Sequence, residues 1–189
     1  MRLGTLSRKG IGAVPLILAF VVALVGAFLL YRNWQPAPEA GKAGPGTAAG
    51  PSGLKTAPPF SLKDTNGNTY SSDQLAGKPA VINFFATWCP PCREEIPGFL
   101  EVYDKHREKG FELIGISLDT DSRENMPGFL MNNKIRYRIL FGDLETARAY
   151  GGVSALPTTF FVGKDGVIKN VHVGYMDKDA FDKEVMKLL

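Results

Sequence analysis

Cys89 and Cys92 are the residues of this sequence best suited to chemistry, and they are the only cysteines among its 189 residues. Three positions apart, they cannot connect distant parts of a fold, and they are too few for a four-thiolate zinc site. Thiol-disulfide exchange needs one attacking thiolate and a second thiol close enough to release the product. The spacing, together with the strand before Cys89 and the helix after it, predicts that Cys89 attacks and Cys92 resolves, without excluding two structural thiols or half of a metal site.

The segments on either side of the cysteines favour the redox interpretation. An apolar run from Ala80 to Ala86 predicts a buried strand, and residues 91–109 carry apolar side chains at helical spacing. A strand that leads directly into a helix places the first sulfur at the helix N-terminus, where free N–H groups stabilise a thiolate. Pro91 suits the first helical turn, and the rigid pair Pro90-Pro91 limits reorganisation between redox states.

The remaining pattern predicts an α/β fold, a mixed sheet sandwiched between helices. Strands and helices alternate before a final hairpin and helix. His106 stands among charged neighbours, so we expect a solvated helix end there, and His172 is expected to be structural. The predicted segments are a hairpin around 64–67, strands at 111–118, 137–141, 158–162 and 167–173, and helices within 119–133, 143–150 and 177–189.

Four regions follow along the chain. Residues 11–31 are predicted to be a transmembrane signal-anchor helix, because Ile11 to Leu30 carry no charge and span the thickness of a bilayer. Arg2, Arg8 and Lys9 precede it, which places residues 1–10 in the cytoplasm and the rest outside. A cleaved signal peptide is the alternative. Residues 32–57 are a Pro/Gly/Ala-rich linker, and 58–189 form the predicted domain.

Charge argues against nucleic acid as a partner. Residues 1–53 carry five Lys/Arg and one Glu, which leaves 17 basic and 18 acidic residues for the remainder of the chain. A nearly neutral domain lacks the clustered bases that displace counterions from a phosphate backbone.

Two longer segments carry a resemblance to a known family. They are Asn83-Phe-Phe-Ala-Thr-Trp-Cys-Pro-Pro-Cys-Arg-Glu-Glu-Ile-Pro97 and Gly152-Val-Ser-Ala-Leu-Pro-Thr-Thr-Phe-Phe161. With their spacing, they make residues 58–189 resemble the thioredoxin superfamily, above all its TlpA-like and ResA-like membrane-anchored reductases. The resemblance implies a thioredoxin-like domain that works as a protein-disulfide reductase in cytochrome c maturation, on the periplasmic side of the cell membrane.

The resemblance also implies roles for individual residues. Pro157 would be a cis-proline that faces the dithiol and keeps metals away, and Leu156 would pair with an extended substrate. Glu95 matches an acid that tunes the thiols, although spacing alone also allows a solvated helix residue. Asn83 stands where thioredoxin has a buried Asp. Trp88 would shield the sulfurs, although packing on the leading hairpin explains it equally well. We expect Trp88, Pro90, Pro91, Leu156 and Pro157 to contact substrate.

The implied partners are exported disulfide proteins such as apo-cytochrome c, and a thiol-carrying electron donor in the membrane. No cofactor is expected besides the redox-active disulfide Cys89–Cys92. Two other functions stay open at this point. One is a disulfide oxidant, because the helix N-terminus and Glu95 act on the thiolate in opposite directions. The other is a copper-binding chaperone, for which His172 or Met176 could supply a third ligand.

Overall fold

A computed structural model describes residues 24–26, 28 and 54–189. The strands are β1 Ser61–Asp64, β2 Thr69–Ser71, β3 Ala80–Phe85, β4 Glu112–Ser117, β5 Arg138–Phe141, β6 Thr158–Val162 and β7 Ile168–Val173. The α-helices of residues 54–189 are α1 Pro90–His106, α2 Met126–Asn132, α3 Leu144–Ala149 and α4 Lys178–Met186. Short 3-10 helices cover Ser72–Leu75, Arg107–Lys109 and Arg123–Asn125. The order confirms the predicted α/β class.

All seven strands form one mixed sheet in the order β2-β1-β5-β4-β3-β6-β7. β3, β4 and β5 run parallel, whereas β6 is antiparallel to β3 and β7 is antiparallel to β6. The ends of β3, β4, β5 and β7 and the start of β6 therefore lie at the same end of the sheet. The segment that carries both cysteines follows β3 at this end.

The central strands are buried because other elements of the fold cover both faces of the sheet. All six residues of β3 are buried, as the unbroken apolar run predicts. On one face, Val81 and Phe85 pack with apolar residues of α1, α2 and α4, and the rings of Phe99 and Phe181 stack with centroids 3.7 Å apart. On the other face, Ile82 and Phe84 pack with the leading hairpin and Tyr150.

His106 corrects one expectation of the sequence. Instead of a solvated helix end, the structure gives a side chain that is 1% exposed, with Nε2 2.6 Å from Asp182 Oδ1 of α4. His106 follows Val102 by four residues and Phe99 by seven, so all three lie on the buried face of α1. The expectation rested on the charged neighbours of His106 and did not take this spacing into account. His172 is half-buried, and its Nε2 lies 3.0 Å from the carbonyl oxygen of Tyr175.

The N-terminal predictions lie almost entirely outside the described residues. Of the predicted transmembrane stretch 11–31, only 24–26 and 28 are described, and the part of the linker before residue 54 is not. Among residues 24–26, 28 and 54–189, no helix is both long and apolar enough to cross a membrane. Before the predicted domain start at 58, Lys55 and Ala57 already form hydrogen bonds with Ile168 and Gly166.

Candidate active site

The dithiol segment lies where β3 ends and α1 begins. Cys89 is the N-cap residue of α1, and its Sγ accepts a hydrogen bond of 3.3 Å from the backbone N–H of Cys92. Pro90 and Pro91 occupy the first helical positions, which have no intrahelical acceptor for an N–H. The two sulfurs are joined in a disulfide, and the Cα atoms are 5.3 Å apart. The predicted position of the first sulfur at a helix N-terminus is confirmed.

Both cysteines are covered, whereas the residues beside Cys89 are open to solvent. Cys89 is 3% exposed and Cys92 1% exposed, and both belong to the core cluster beneath α1. Trp88 is 65% exposed and Pro90 is exposed as well. With most of its surface in solvent, Trp88 belongs to neither core cluster.

The Leu156-Pro157 peptide bond is cis, and Pro157 immediately precedes β6. Because Thr158 of β6 pairs with Phe84 of β3, Pro157 lies at the end of the sheet that carries the cysteines. Leu156 is half-buried and packs against both core clusters. Within residues 54–189, its N–H and C=O make no hydrogen bond to another backbone group.

Glu95 is a buried acid on the same face of α1 as Cys92, three residues further along the helix. It is 2% exposed, so the alternative of a solvated helix residue is wrong. Its Oε1 accepts a hydrogen bond of 2.9 Å from Asn83 Nδ2, which also donates to Thr159 Oγ1 at 3.0 Å. Its Oε2 accepts one of 3.4 Å from the backbone N–H of Met176.

Burial raises the pKa of the Glu95 carboxyl. Loss of solvent raises the pKa of Glu95 to about 8, although the hydrogen bonds from Asn83 and Met176 act in the opposite direction. At neutral pH most molecules therefore carry a protonated Glu95. A carboxyl that titrates in this range can both accept and return a proton near neutral pH.

The segment Gly174-Tyr175-Met176, which we call the β7–α4 loop, joins the cis-proline to the buried acid. The N–H of Gly174 donates to the carbonyl oxygen of Pro157 at 2.8 Å, and the N–H of Met176 reaches Glu95. Met176 is buried in the same core cluster as the cysteines, whereas Tyr175 is 48% exposed. Sequence reasoning considered Met176 only as a copper ligand and missed Tyr175 and Thr159. For Tyr175, an aromatic residue in a turn directly after a strand was the feature of the sequence that could have indicated a role at the site.

A second buried carboxylate, Asp119, lies just beyond the end of β4 and was also missed. It accepts hydrogen bonds from the N–H and hydroxyl groups of Thr87, two residues before Cys89. Its position directly after a buried strand was the signal in the sequence, because parallel strands bring their carboxyl ends together.

A mixed sheet between helices, a disulfide at a helix N-terminus and a cis-proline at the same end of the sheet define the class of thioredoxin-fold thiol-disulfide enzymes. The AhpC/TSA family matches residues 54–171 of the chain. The chain belongs to this family of the thioredoxin superfamily, and within the superfamily to the ResA/TlpA-like thiol-disulfide oxidoreductases.

Relatives and solved structures agree with this placement. The thiol-disulfide oxidoreductase ResA of Bacillus thuringiensis (strain Al Hakam) is 31% identical over 135 residues, which are 71% of this chain and 77% of that protein. The ResA of B. thuringiensis subsp. konkukian is 30% identical over 92% of this chain and 93% of its own length. A thiol:disulfide interchange protein of the thioredoxin family from Chlorobium tepidum superposes with a TM-score of 0.66 at 34% identity, over 72% of this chain and 97% of that one.

Proposed function

We propose that this enzyme reduces disulfides in exported proteins outside the cytoplasm, with the Cys-x-x-Cys-His segment of apo-cytochrome c as the candidate substrate. The observation that carries the proposal is the position of Cys89 Sγ at the N-terminus of α1, bonded to Cys92 one turn away. The names of the ResA relatives support the reaction class. The substrate comes from the sequence resemblance.

In the proposed reaction, the Cys89 thiolate attacks one sulfur of the client disulfide. The client S–S bond breaks, a mixed disulfide with Cys89 forms, and the second client sulfur leaves as a thiolate that takes up a proton. Cys92 then gives its proton to the ionised fraction of Glu95 and attacks Cys89 Sγ. This step forms the Cys89–Cys92 disulfide, frees the other client thiol and completes the transfer of two electrons.

The burial of the site supports reduction over oxidation. The helix N-terminus stabilises a thiolate by about 0.3 to 1 kcal/mol. Against that, both cysteines lie in an apolar cluster, which disfavours the charged thiolate, and Glu95 adds repulsion whenever it ionises. A dithiol whose thiolate is poorly stabilised holds its disulfide more firmly and donates electrons more readily.

We assign client binding to the residues that surround the dithiol at the protein surface. An extended client segment would pair with the free backbone groups of Leu156 and contact Trp88, Pro90 and Pro91 while it passes Pro157. The uncharged stretch 11–31 would anchor the domain at the membrane surface, and residues 32–57 would act as its tether. A thiol-carrying membrane protein would return electrons to the Cys89–Cys92 disulfide.

Trapping in intact cells tests both the chemistry and the location. A full-length Cys92→Ala variant cannot resolve the mixed disulfide, so client proteins should accumulate on Cys89 and be identifiable by mass spectrometry. Cys89→Ala is the matched control and should trap nothing. A thiol-blocking reagent that cannot cross membranes, added first, should prevent capture by Cys92→Ala.

Two results would contradict separate parts of the proposal. Equal capture by both variants would remove the assignment of Cys89 as the attacking thiol. Capture that persists after the impermeant reagent would place the domain inside the membrane barrier, while leaving the exchange chemistry intact.

A further inference from the structure

Asp119 gathers hydrogen bonds from three segments at the active-site end of the sheet. It follows β4 by two residues and is fully buried. Thr87 donates twice, from its N–H to Oδ2 at 3.0 Å and from its hydroxyl to Oδ1 at 2.6 Å. The hydroxyl of Ser117 donates to Oδ2 at 2.7 Å, and that of Ser122 donates to Oδ1. Burial alone would raise the pKa of Asp119, but hydrogen bonds from Ser122, Thr87 and Ser117 hold it below its usual range.

Thr87 is the residue through which this carboxylate can act on the dithiol. It lies in the turn between β3 and α1, which is closed by a single hydrogen bond of 3.2 Å from the N–H of Cys89 to the carbonyl oxygen of Ala86. On the opposite side, the Arg123 side chain donates to the carbonyl oxygens of Asp119 and Gly142, which ties the loops after β4 and β5 together. Hydrogen bonds from Thr87 to Asp119 therefore connect the turn before Cys89 to two loops that the Arg123 side chain holds together.

We propose that Asp119 is a positioning residue for the reaction: by holding Thr87, it fixes the turn that places Cys89 Sγ against the N–H of Cys92. This inference rests on the proposed attack by Cys89. It predicts that a loosened turn weakens the hydrogen bond that stabilises the thiolate. A purely structural Asp119 would support the fold without influencing the reactivity of Cys89.

Variants of the hydroxyl donors separate the two roles, because they leave the carboxylate in place. Thr87→Val removes the hydroxyl that bonds Asp119 on the dithiol side, and Thr87→Ser restores it. Ser122→Ala removes a hydroxyl from the same carboxylate on the side of the β4 loop. Each loss takes one charge-assisted hydrogen bond from a buried acceptor, so both should lower the unfolding temperature.

The measurement is the rate at which a small alkylating reagent modifies the reduced full-length protein, followed across pH. We expect Thr87→Val to lower the rate at neutral pH about threefold and to move its pH profile upward, since less thiolate is present. Thr87→Ser should match the original protein, and Ser122→Ala should keep the original profile despite its lower unfolding temperature. These rates do not depend on a client, so they stay informative if the proposed substrate is wrong.

Two outcomes would overturn the inference. If Thr87→Val and Ser122→Ala both lose stability and keep the original pH profile, Asp119 is structural only. If Thr87→Val moves the profile to lower pH, the turn does not hold the sulfur in its stabilised position.

Discussion

At the scale of single residues, Glu95 shows how burial changes the work of a carboxyl group. The side chain has two hydrogen-bond donors, Asn83 and Met176, yet loss of solvent outweighs both and the pKa rises to about 8. Asn83 keeps the site free of a second buried carboxylate, which would compete for the same proton. Glu95 and Cys92 are both buried and lie one turn apart on α1, which supports the proposed exchange of a proton between the acid and the resolving thiol.

The raised pKa makes the stability of the oxidised protein depend on pH. In the unfolded chain Glu95 ionises near its ordinary value of 4.5, whereas in the folded protein it does so at about 8. Below pH 4.5 both states are protonated and Glu95 costs nothing. Between these values the unfolded state releases its proton first, so the free energy of unfolding falls by about 1.4 kcal/mol per pH unit, and it is level again above pH 8.

Glu95→Gln removes this titration and keeps an acceptor for Asn83. We expect the variant to gain stability relative to the original protein, by a few kcal/mol, as the pH rises from 5 to 8. Chemical denaturation of both oxidised proteins measures the difference, and other titrating groups cancel because the two proteins share them. Curves that stay parallel over this range would show that Glu95 is ionised in the fold at neutral pH.

At the scale of secondary-structure elements, the β7–α4 loop connects the surface of the site with its interior. One end is bonded to Pro157 and the other to Glu95, and Tyr175 projects between them with 48% of its surface exposed. An aromatic side chain that packs on a partner supplies large contact area at little entropic cost. We infer that Tyr175 contacts clients that approach Leu156.

Tyr175→Ala should raise the KM for a protein disulfide several-fold, and leave the rate with a small-molecule disulfide unchanged. Met131→Ala is the matched control, since Met131 is 75% exposed on α2, which leads to the start of β5 at the opposite end of the sheet. It should alter neither rate. Equal effects of Tyr175→Ala on both substrates would mean that the loop shapes the dithiol and does not bind the client.

The elements were predictable from the sequence, whereas contacts between them were not. Apolar runs predicted β3 and β4, and Cys89 fell at the expected helix start, because these are local patterns. The meeting of Thr87 with Asp119 depends on the pairing of Phe85 with Ser117, a register that neither segment encodes alone. Only the family resemblance indicated that Glu95 lies near the thiols, and its burial was not predicted.

The structure also differs from the sequence-based predictions at the ends of two helices. Leu188 was expected on the last helix, but α4 ends at Met186 and Leu188 packs into the core from beyond it. The charged residues around His106 concealed a contact with α4 that depends on how two distant helices cross. The conformation and burial of residues at helix ends depend more on packing against the neighbouring helix than on the local sequence.

At the scale of the whole molecule, the proposed direction of electron transfer is linked to folding. Reduction of the disulfide in the folded and in the unfolded chain closes a thermodynamic cycle with unfolding of the oxidised and the reduced protein. If the fold holds the disulfide more firmly than the unfolded chain does, the oxidised form must also be the more stable one. The apolar surroundings of both cysteines favour this case.

We therefore expect the oxidised protein to unfold at a higher temperature than the protein kept reduced with excess dithiol. A preference of about 30 mV corresponds to about 1.4 kcal/mol, and each 1 kcal/mol moves the midpoint by roughly 3 to 5 °C in a domain of this size. A variant with both Cys89→Ala and Cys92→Ala should unfold at one temperature in either condition, which controls for effects of the dithiol itself. If the reduced protein instead unfolds at the higher temperature, folding stabilises the dithiol relative to the disulfide. The protein would then be a disulfide oxidant.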